Sequence, residues 1–146
     1  MASFNNNELN NIISEVNKWV KSKEDIYGLA LVGSYARGNA NDRSDIDFLV
    51  LTSQKESYRE NKSWVNEINW KVINFDIQSL KEQDYGLVWS CHIYLSETKE
   101  IEMGFGDRNW IDAALIDEGT KRVIKNGFKI IYDSEYLLKD ILEKVQ

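Results

Sequence analysis

The sequence contains no proline, one cysteine, one histidine and no long apolar run in its 146 residues. Most of these shortages close off a class of protein. A lone Cys91 permits neither an internal disulfide nor a cysteine-rich zinc site, and it fits a reducing, cytoplasmic setting. With His92 as the sole histidine, a histidine-based metal cluster is excluded as well. No stretch approaches the roughly 18 apolar residues of a membrane-spanning helix, so no membrane partner is expected. The opening MASFNNNELNN lacks a basic start followed by an apolar stretch, so no secretory leader is expected. Cationic charge is scarce too: 18 Lys and Arg stand against 24 Asp and Glu, a net charge of −6. Binding a nucleic-acid backbone needs clustered cations, so nucleic acid is not an expected partner. The acidity leaves spare carboxylates for holding metal. The missing proline carries no functional implication.

What is present suffices for a core. At 42% hydrophobic and 29% charged, residues 1–146 are expected to form one folded domain. Leu9, Ile12, Ile13, Val16, Trp19 and Val20 recur at spacings of three and four, predicting an amphipathic helix over 7–21 capped by Asn6 or Asn7. Residues 26–32 and 45–52 are short apolar runs that suit strands. Between them, 35–44 is polar and reads as a loop or short helical turn, and a further helix is expected near 55–67. Alternation of Ile73, Phe75 and Ile77 with polar residues predicts a strand over 71–79, and 86–95 with 99–105 predicts a hairpin across Ser96–Lys99. A helix over 117–126 closing at Gly127, a strand over 128–132 and a helix over 134–145 complete the chain. The pattern is α+β, or mixed α/β: a central mixed sheet with helices packed against it.

One segment carries chemistry, running from Leu31 to Val50. An apolar strand ends at Gly33-Ser34, a polar spacer follows, and Asp45-Ile46-Asp47 opens the next strand. Alternate residues of a strand share a face, which puts the carboxylates of Asp45 and Asp47 on one side, about 7 Å apart along the backbone. Such a pair repels unless a cation lies between them, and magnesium takes hard oxygen ligands from one or two carboxylates together with substrate phosphates. Gly33 lets the backbone approach a ligand, exposed N–H groups at such a turn favour an anion, and the Ser34 hydroxyl adds a donor. Arg37 and Arg43 flank the loop and suit phosphate oxygens.

The segment resembles the signature of the DNA polymerase β-like nucleotidyltransferase superfamily: a hydrophobic residue, Gly, then Gly or Ser, a spacer, and Asp-hydrophobic-Asp-hydrophobic. Gly33-Ser-Tyr-Ala-Arg-Gly38 is similar to the form in small bacterial members and in antibiotic nucleotidyltransferases. The likeness extends through Glu102-Met-Gly-Phe and 117–128, covering most of 27–138, though only the first motif is highly specific. It implies a polymerase β-like fold and transfer of a nucleoside monophosphate from a nucleoside triphosphate, ATP being the expected donor, to a hydroxyl. It also implies two magnesium ions held by three carboxylates. Asp45 and Asp47 would be two of these, catalytic and metal-binding. Glu102 matches the third position, beside hydrophobic-Gly-Phe, and Asp76 is the competitor.

Other residues invite plainer readings. Asp42 is expected to shape the spacer loop, His92 to pack or hydrogen-bond within a strand, and Cys91 to be buried. Most of Trp19, Trp64, Trp70, Trp89 and Trp110 are expected in the core, with Trp89 or Trp110 also able to stack on a base or acceptor. The resemblance points to a small-molecule acceptor such as an aminoglycoside or lincosamide. Little chain follows residue 138, so either a homodimer completes the acceptor site or the acceptor lies on the sheet and its loops. Two alternatives stand beside this: a minimal nucleotidyltransferase that modifies a protein partner, of antitoxin type, and a non-catalytic nucleotide-binding module.

Overall fold

A computed structural model describes residues 2–74, 76–96 and 98–145, with the backbone alone at Ile73. Helix α1 (Asn6–Lys21) begins one residue earlier than expected, and its cap is Asn5. The reason is Glu8. Three residues after Asn5, its Oε1 accepts from the Asn5 N–H at 2.9 Å while Asn5 Oδ1 accepts from the Glu8 N–H at 2.8 Å. This reciprocal box satisfies two otherwise orphaned donors. Ile12, Val16, Trp19 and Val20 form the buried face of the helix.

Among the described residues six strands form one sheet: β1 (Ile26–Val32), β2 (Ile46–Thr52), β3 (Ser79–Asp84), β4 (Trp89–Tyr94), β5 (Glu100–Gly106) and β6 (Phe128–Asp133), in the order β3-β4-β5-β2-β1-β6. β2 and β5 run parallel, and the other neighbours are antiparallel, so the sheet is mixed as expected. Helices cover it on both sides. One face carries Phe48, Val50, Met103 and Phe105 beneath α1, joined by Trp19, Trp64, Trp70 and Trp89. There the Phe105 ring lies 5.0 Å from both the Tyr58 and the Trp64 rings. The other face carries Ala30, Leu49 and Leu51, covered by Trp110, Ile124, Leu138 and Ile141. No helix among the described residues is long and apolar enough to cross a membrane.

Several elements differ from the sequence reading. The strand expected over 71–79 is instead a 3-10 turn over Trp70–Ile73, ended by Asn74 in the left-handed region at φ 58°. Trp70 is buried and donates its indole N–H to the Val65 carbonyl at 2.7 Å. This anchors the segment as a turn under α1 rather than as a ladder. Phe75, part of the expected alternation, lies outside the described residues. The strand begins later, at Ser79, and β3 is exposed along its whole length. Its sequence SLKEQD has no apolar face to reveal it, as suits a charged edge strand. The helix expected over 55–67 is split at the extended residue Asn61 into α3 (Lys55–Glu60) and a 3-10 turn, Lys62–Glu67.

In the spacer, α2 (Gly33–Arg37) is a single helical turn closed by Gly38 at φ 79°. Helix α4 (Arg108–Ala114), not foreseen, is capped by Asp107, whose carboxylate accepts from the Asn109 N–H at 2.9 Å. Helix α5 (Glu118–Lys125) is capped by Asp117 and followed by Gly127 at φ 124°. Helix α6 (Leu137–Val145) starts three residues late because the Asp133 carboxylate receives the N–H groups of Leu138 and Lys139.

Candidate active site

The topology brings the polar ends of four strands together. β1 stops at Val32, and Gly33 turns the chain at φ 75°. A Cβ at position 33 would overlap Asp47 Oδ2, so both the dihedral and the space exclude a side chain. Asp45 immediately precedes β2, and Asp47 lies within it. Ile46 and Phe48, between and after them, are buried in the opposite face and pin the strand.

The parallel pairing of β2 with β5 sets Asp47 beside Glu102, and the β5–β4 pairing sets Glu102 beside His92. Ser90 Oγ donates to Glu102 Oε2 at 3.2 Å. His92 Nδ1 lies 3.2 Å from Glu100 Oε2 and 3.4 Å from Glu102 Oε1. Asp45, His92, Glu100 and Glu102 each offer a ligand atom, all within 4.8 Å of one another. One histidine thus joins a carboxylate cluster in which sequence reasoning gave it no part. Glu100 was missed likewise. The available signal was the two-residue spacing of Glu100 and Glu102 on one strand and of Ser90 and His92 on the next, which becomes legible only once the strands are known to be neighbours.

This crowding is electrostatically costly. Burial, and then the charges of Asp45 and Glu102, push the Asp47 carboxyl up to about 9. Burial and a hydrogen bond with Glu100 push Asp45 up to about 6. Glu102 is also raised by burial, against the opposing pull of His92 and the Ser90 hydroxyl. Carboxylates that hold on to protons for want of a counter-charge are a good fit to a divalent cation, whose charge removes the same penalty.

A cleft of about 730 Å³ opens from this cluster between the sheet and α5. Gly33, Asp45, Asp47 and Glu102 line one end of it, and Arg37 lies on its wall. Gly104 keeps its floor low, because a Cβ there would lie 3.1 Å from Val88 Cγ1 and 3.3 Å from Ser90 Oγ. Arg37 donates to the Asn126 carbonyl at 3.2 Å, and Gly127 makes room for it, since a Cβ at 127 would lie 2.5 Å from Arg37 Cγ. Ser34 follows Gly33 half-buried but does not line the cleft, and Arg43 is exposed away from it. Asp76 lies in a separate hollow beside Trp70 and Lys71. Asp42 is exposed in its loop, and Cys91 is fully buried. Trp89 is buried in the opposite core, whereas Trp110 lines the cleft and stacks on Phe128 at 6.4 Å. The contributions of Tyr85 and Thr120 to the walls left no mark in the sequence.

A glycine turn against a carboxylate pair, at the mouth of a cleft in a mixed sheet, is a geometry suited to a phosphorylated ligand and a divalent cation. The family model for the nucleotidyltransferase domain matches residues 13–103, more than half the chain. The chain belongs to the nucleotidyltransferase-domain family and is an enzyme of nucleotidyl transfer. A Methanocaldococcus jannaschii protein described as a candidate protein adenylyltransferase is 29% identical over 140 residues, covering 94% of this chain and 81% of that one. The crystal structure of an aminoglycoside 6-adenyltransferase from Bacillus subtilis superposes with a TM-score of 0.53 at 10% identity, covering 79% of this chain and 40% of that one. That likeness concerns the fold. This chain spans about two fifths of the length of the aminoglycoside enzyme.

Proposed function

We propose that this chain is a magnesium-dependent adenylyltransferase that moves AMP from ATP to a hydroxyl on a protein. The observation that carries the site assignment is the position of Asp47, flanked by the Gly33 turn on one side and by Glu102 of the neighbouring strand on the other. A turn that must be glycine touches one carboxylate, and the sheet register sets a second carboxylate beside the first. Asp45, Asp47 and Glu102 would hold the divalent cations. When bound, two such ions would stabilise the attacking and leaving oxygens of an in-line displacement. The backbone at Gly33 holds the β- and γ-phosphates, Arg37 offsets their charge from the cleft wall, and the Ser34 hydroxyl, which does not line the cleft, joins them by turning towards the cleft edge. Glu102, kept in place by Ser90, accepts the proton of the attacking hydroxyl. Positioning and charge neutralisation supply most of the rate in such transfers. Arg43, exposed outside the cleft, takes no part in this reading.

The protein acceptor is favoured by the archaeal relative, which aligns along 94% of this chain. A small-molecule acceptor such as an aminoglycoside has support only from likeness of fold, and that match leaves most of the longer enzyme uncovered. A test uses the protein with magnesium, each nucleoside triphosphate labelled at the α-phosphate, and a panel of aminoglycosides, lincosamides and lysate proteins. Label from ATP on a protein supports the proposal. Label on an antibiotic moves the acceptor to the small-molecule class, and triphosphate binding without transfer reduces the chain to a binding module.

A further inference from the structure

Nucleotidyl transfer needs an acceptor hydroxyl within reach of the bound α-phosphate. Among the residues that line the cleft, three carry a hydroxyl: Tyr85, Ser90 and Thr120. Two of these are committed elsewhere. Ser90 is 1% exposed and donates to Glu102, and Thr120 is 8% exposed and donates to Asp117 Oδ2 at 2.7 Å. Tyr85 differs in both respects. It is 53% exposed, and among the described residues no hydrogen bond engages its phenol.

Tyr85 sits at the tip of the β3–β4 hairpin, where its N–H donates to the Val88 carbonyl at 2.8 Å. Gly86 follows it at φ 91°, with open space where a Cβ would stand. Asp84, beside Tyr85, is paired with Arg59 at 3.1 Å and accepts from the Gly86 N–H at 2.7 Å, so the tip is held where Tyr85 lines the cleft. The phenol already feels the cluster. Burial raises its pKa most, and the charges of Glu102, Asp47, Asp45 and Glu100 raise it further. Tyr94, on the same face of the sheet as His92, is the other tyrosine near these acids, but it does not line the cleft, and burial and the charge of Glu100 raise the pKa of its phenol.

We propose that Tyr85 is itself a nucleotidyl acceptor, so that the enzyme labels its own cleft rim with a nucleoside monophosphate. The Tyr85 phenolic oxygen attacks the α-phosphorus of the triphosphate and forms a phosphodiester bond. The bond from the α-phosphorus to the oxygen bridging the β-phosphate breaks, pyrophosphate leaves with that electron pair, and the phenolic proton passes to the Glu102 carboxylate and on to solvent. A nucleotide fixed at this rim occupies the entrance to the cleft, so the modification would slow transfer to any other acceptor. The inference rests on the nucleotidyl-transfer reading given above.

The test incubates the full chain with magnesium or manganese and each triphosphate labelled at the α-phosphate. Incorporation is read by intact mass and peptide mapping, and pyrophosphate release is followed in parallel. The expected result is one added nucleoside monophosphate on Tyr85. Tyr85→Phe should lose the label down to the level of a reaction without divalent metal while keeping the thermal midpoint, and Tyr94→Phe should keep the label. Label on any other residue, or continuing pyrophosphate release with no label on the chain, overturns the assignment of Tyr85 and leaves the transfer reading standing. Absence of both label and pyrophosphate with every triphosphate and acceptor overturns the two together.

Discussion

Replacing Asp47 by Asn should stabilise the metal-free protein while abolishing transfer. Asp47 has its carboxyl raised from 3.8 to about 9 by burial and by the charges of Asp45 and Glu102. The sign follows from linkage. A group whose folded pKa lies above its unfolded value stabilises fully below the unfolded pKa, and that contribution is lost as pH rises towards the folded pKa. The metal-free protein therefore loses stability from Asp47 progressively between about pH 4 and about pH 9. At 1.36 kcal/mol per pKa unit, the loss near pH 7.5 has an upper bound of about 5 kcal/mol. Sharing of protons with Asp45 and water entering the open cleft reduce it to roughly 2–4 kcal/mol. Asn has nearly the same shape and no charge. For a chain of this size, the gain corresponds to a rise in melting temperature of roughly 5–15 °C. The assay is thermal melting in chelator across that pH range, for wild type and Asp47→Asn. The gap between them should be small near pH 4 and widen as pH rises. Added magnesium or manganese should raise the wild type and leave the variant nearly unmoved. A variant that melts at or below the wild type near pH 8 in chelator would refute the electrostatic reasoning, and one that transfers at the wild-type rate would refute the role of Asp47.

Other changes have equally definite outcomes. Gly33→Ala combines a left-handed dihedral with an overlap on Asp47, so transfer should be lost, with destabilisation of roughly 1–3 kcal/mol measured by denaturant unfolding. Ser90→Ala removes a donor to Glu102 and should raise the magnesium concentration for half-maximal transfer while changing stability by only about 1 kcal/mol. Glu102→Gln should abolish transfer whereas Asp76→Ala, in a separate hollow, should leave it intact, and the reverse pair of results would transfer the third carboxylate to Asp76. Gly127→Ala should displace Arg37, weakening triphosphate binding more than it slows turnover, as read from the split between KM and kcat.

The parts of the architecture legible in the sequence were those written in short-range pattern. Helix α1 announces itself through apolar spacing, β1 and β2 through dense apolar runs, and the end of α5 through Gly127. The same-face placement of Asp45 and Asp47 follows from strand geometry alone. What stayed hidden depends on long-range packing. Residues 71–79 alternate like a strand, yet burial of the Trp70 indole on Val65 and the left-handed Asn74 hold a turn there. β3 pairs through its backbone while all its side chains meet solvent, so no hydrophobic pattern marks it. The cluster of His92, Glu100 and Glu102 with Asp45 arises from the order β4-β5-β2, which no single strand encodes. Arg37 and Arg43 looked equivalent in sequence, six residues apart in one loop. The helical turn α2 carries Arg37 to the cleft wall, and the loop beyond Gly38 leads Arg43 away.

The most direct measurement is anomalous scattering from crystals grown with manganese and a non-hydrolysable ATP analogue. Manganese is expected between Asp45, Asp47 and Glu102, with the β- and γ-phosphates against the backbone at Gly33. Density for the analogue elsewhere, with no manganese among those three carboxylates, would contradict it.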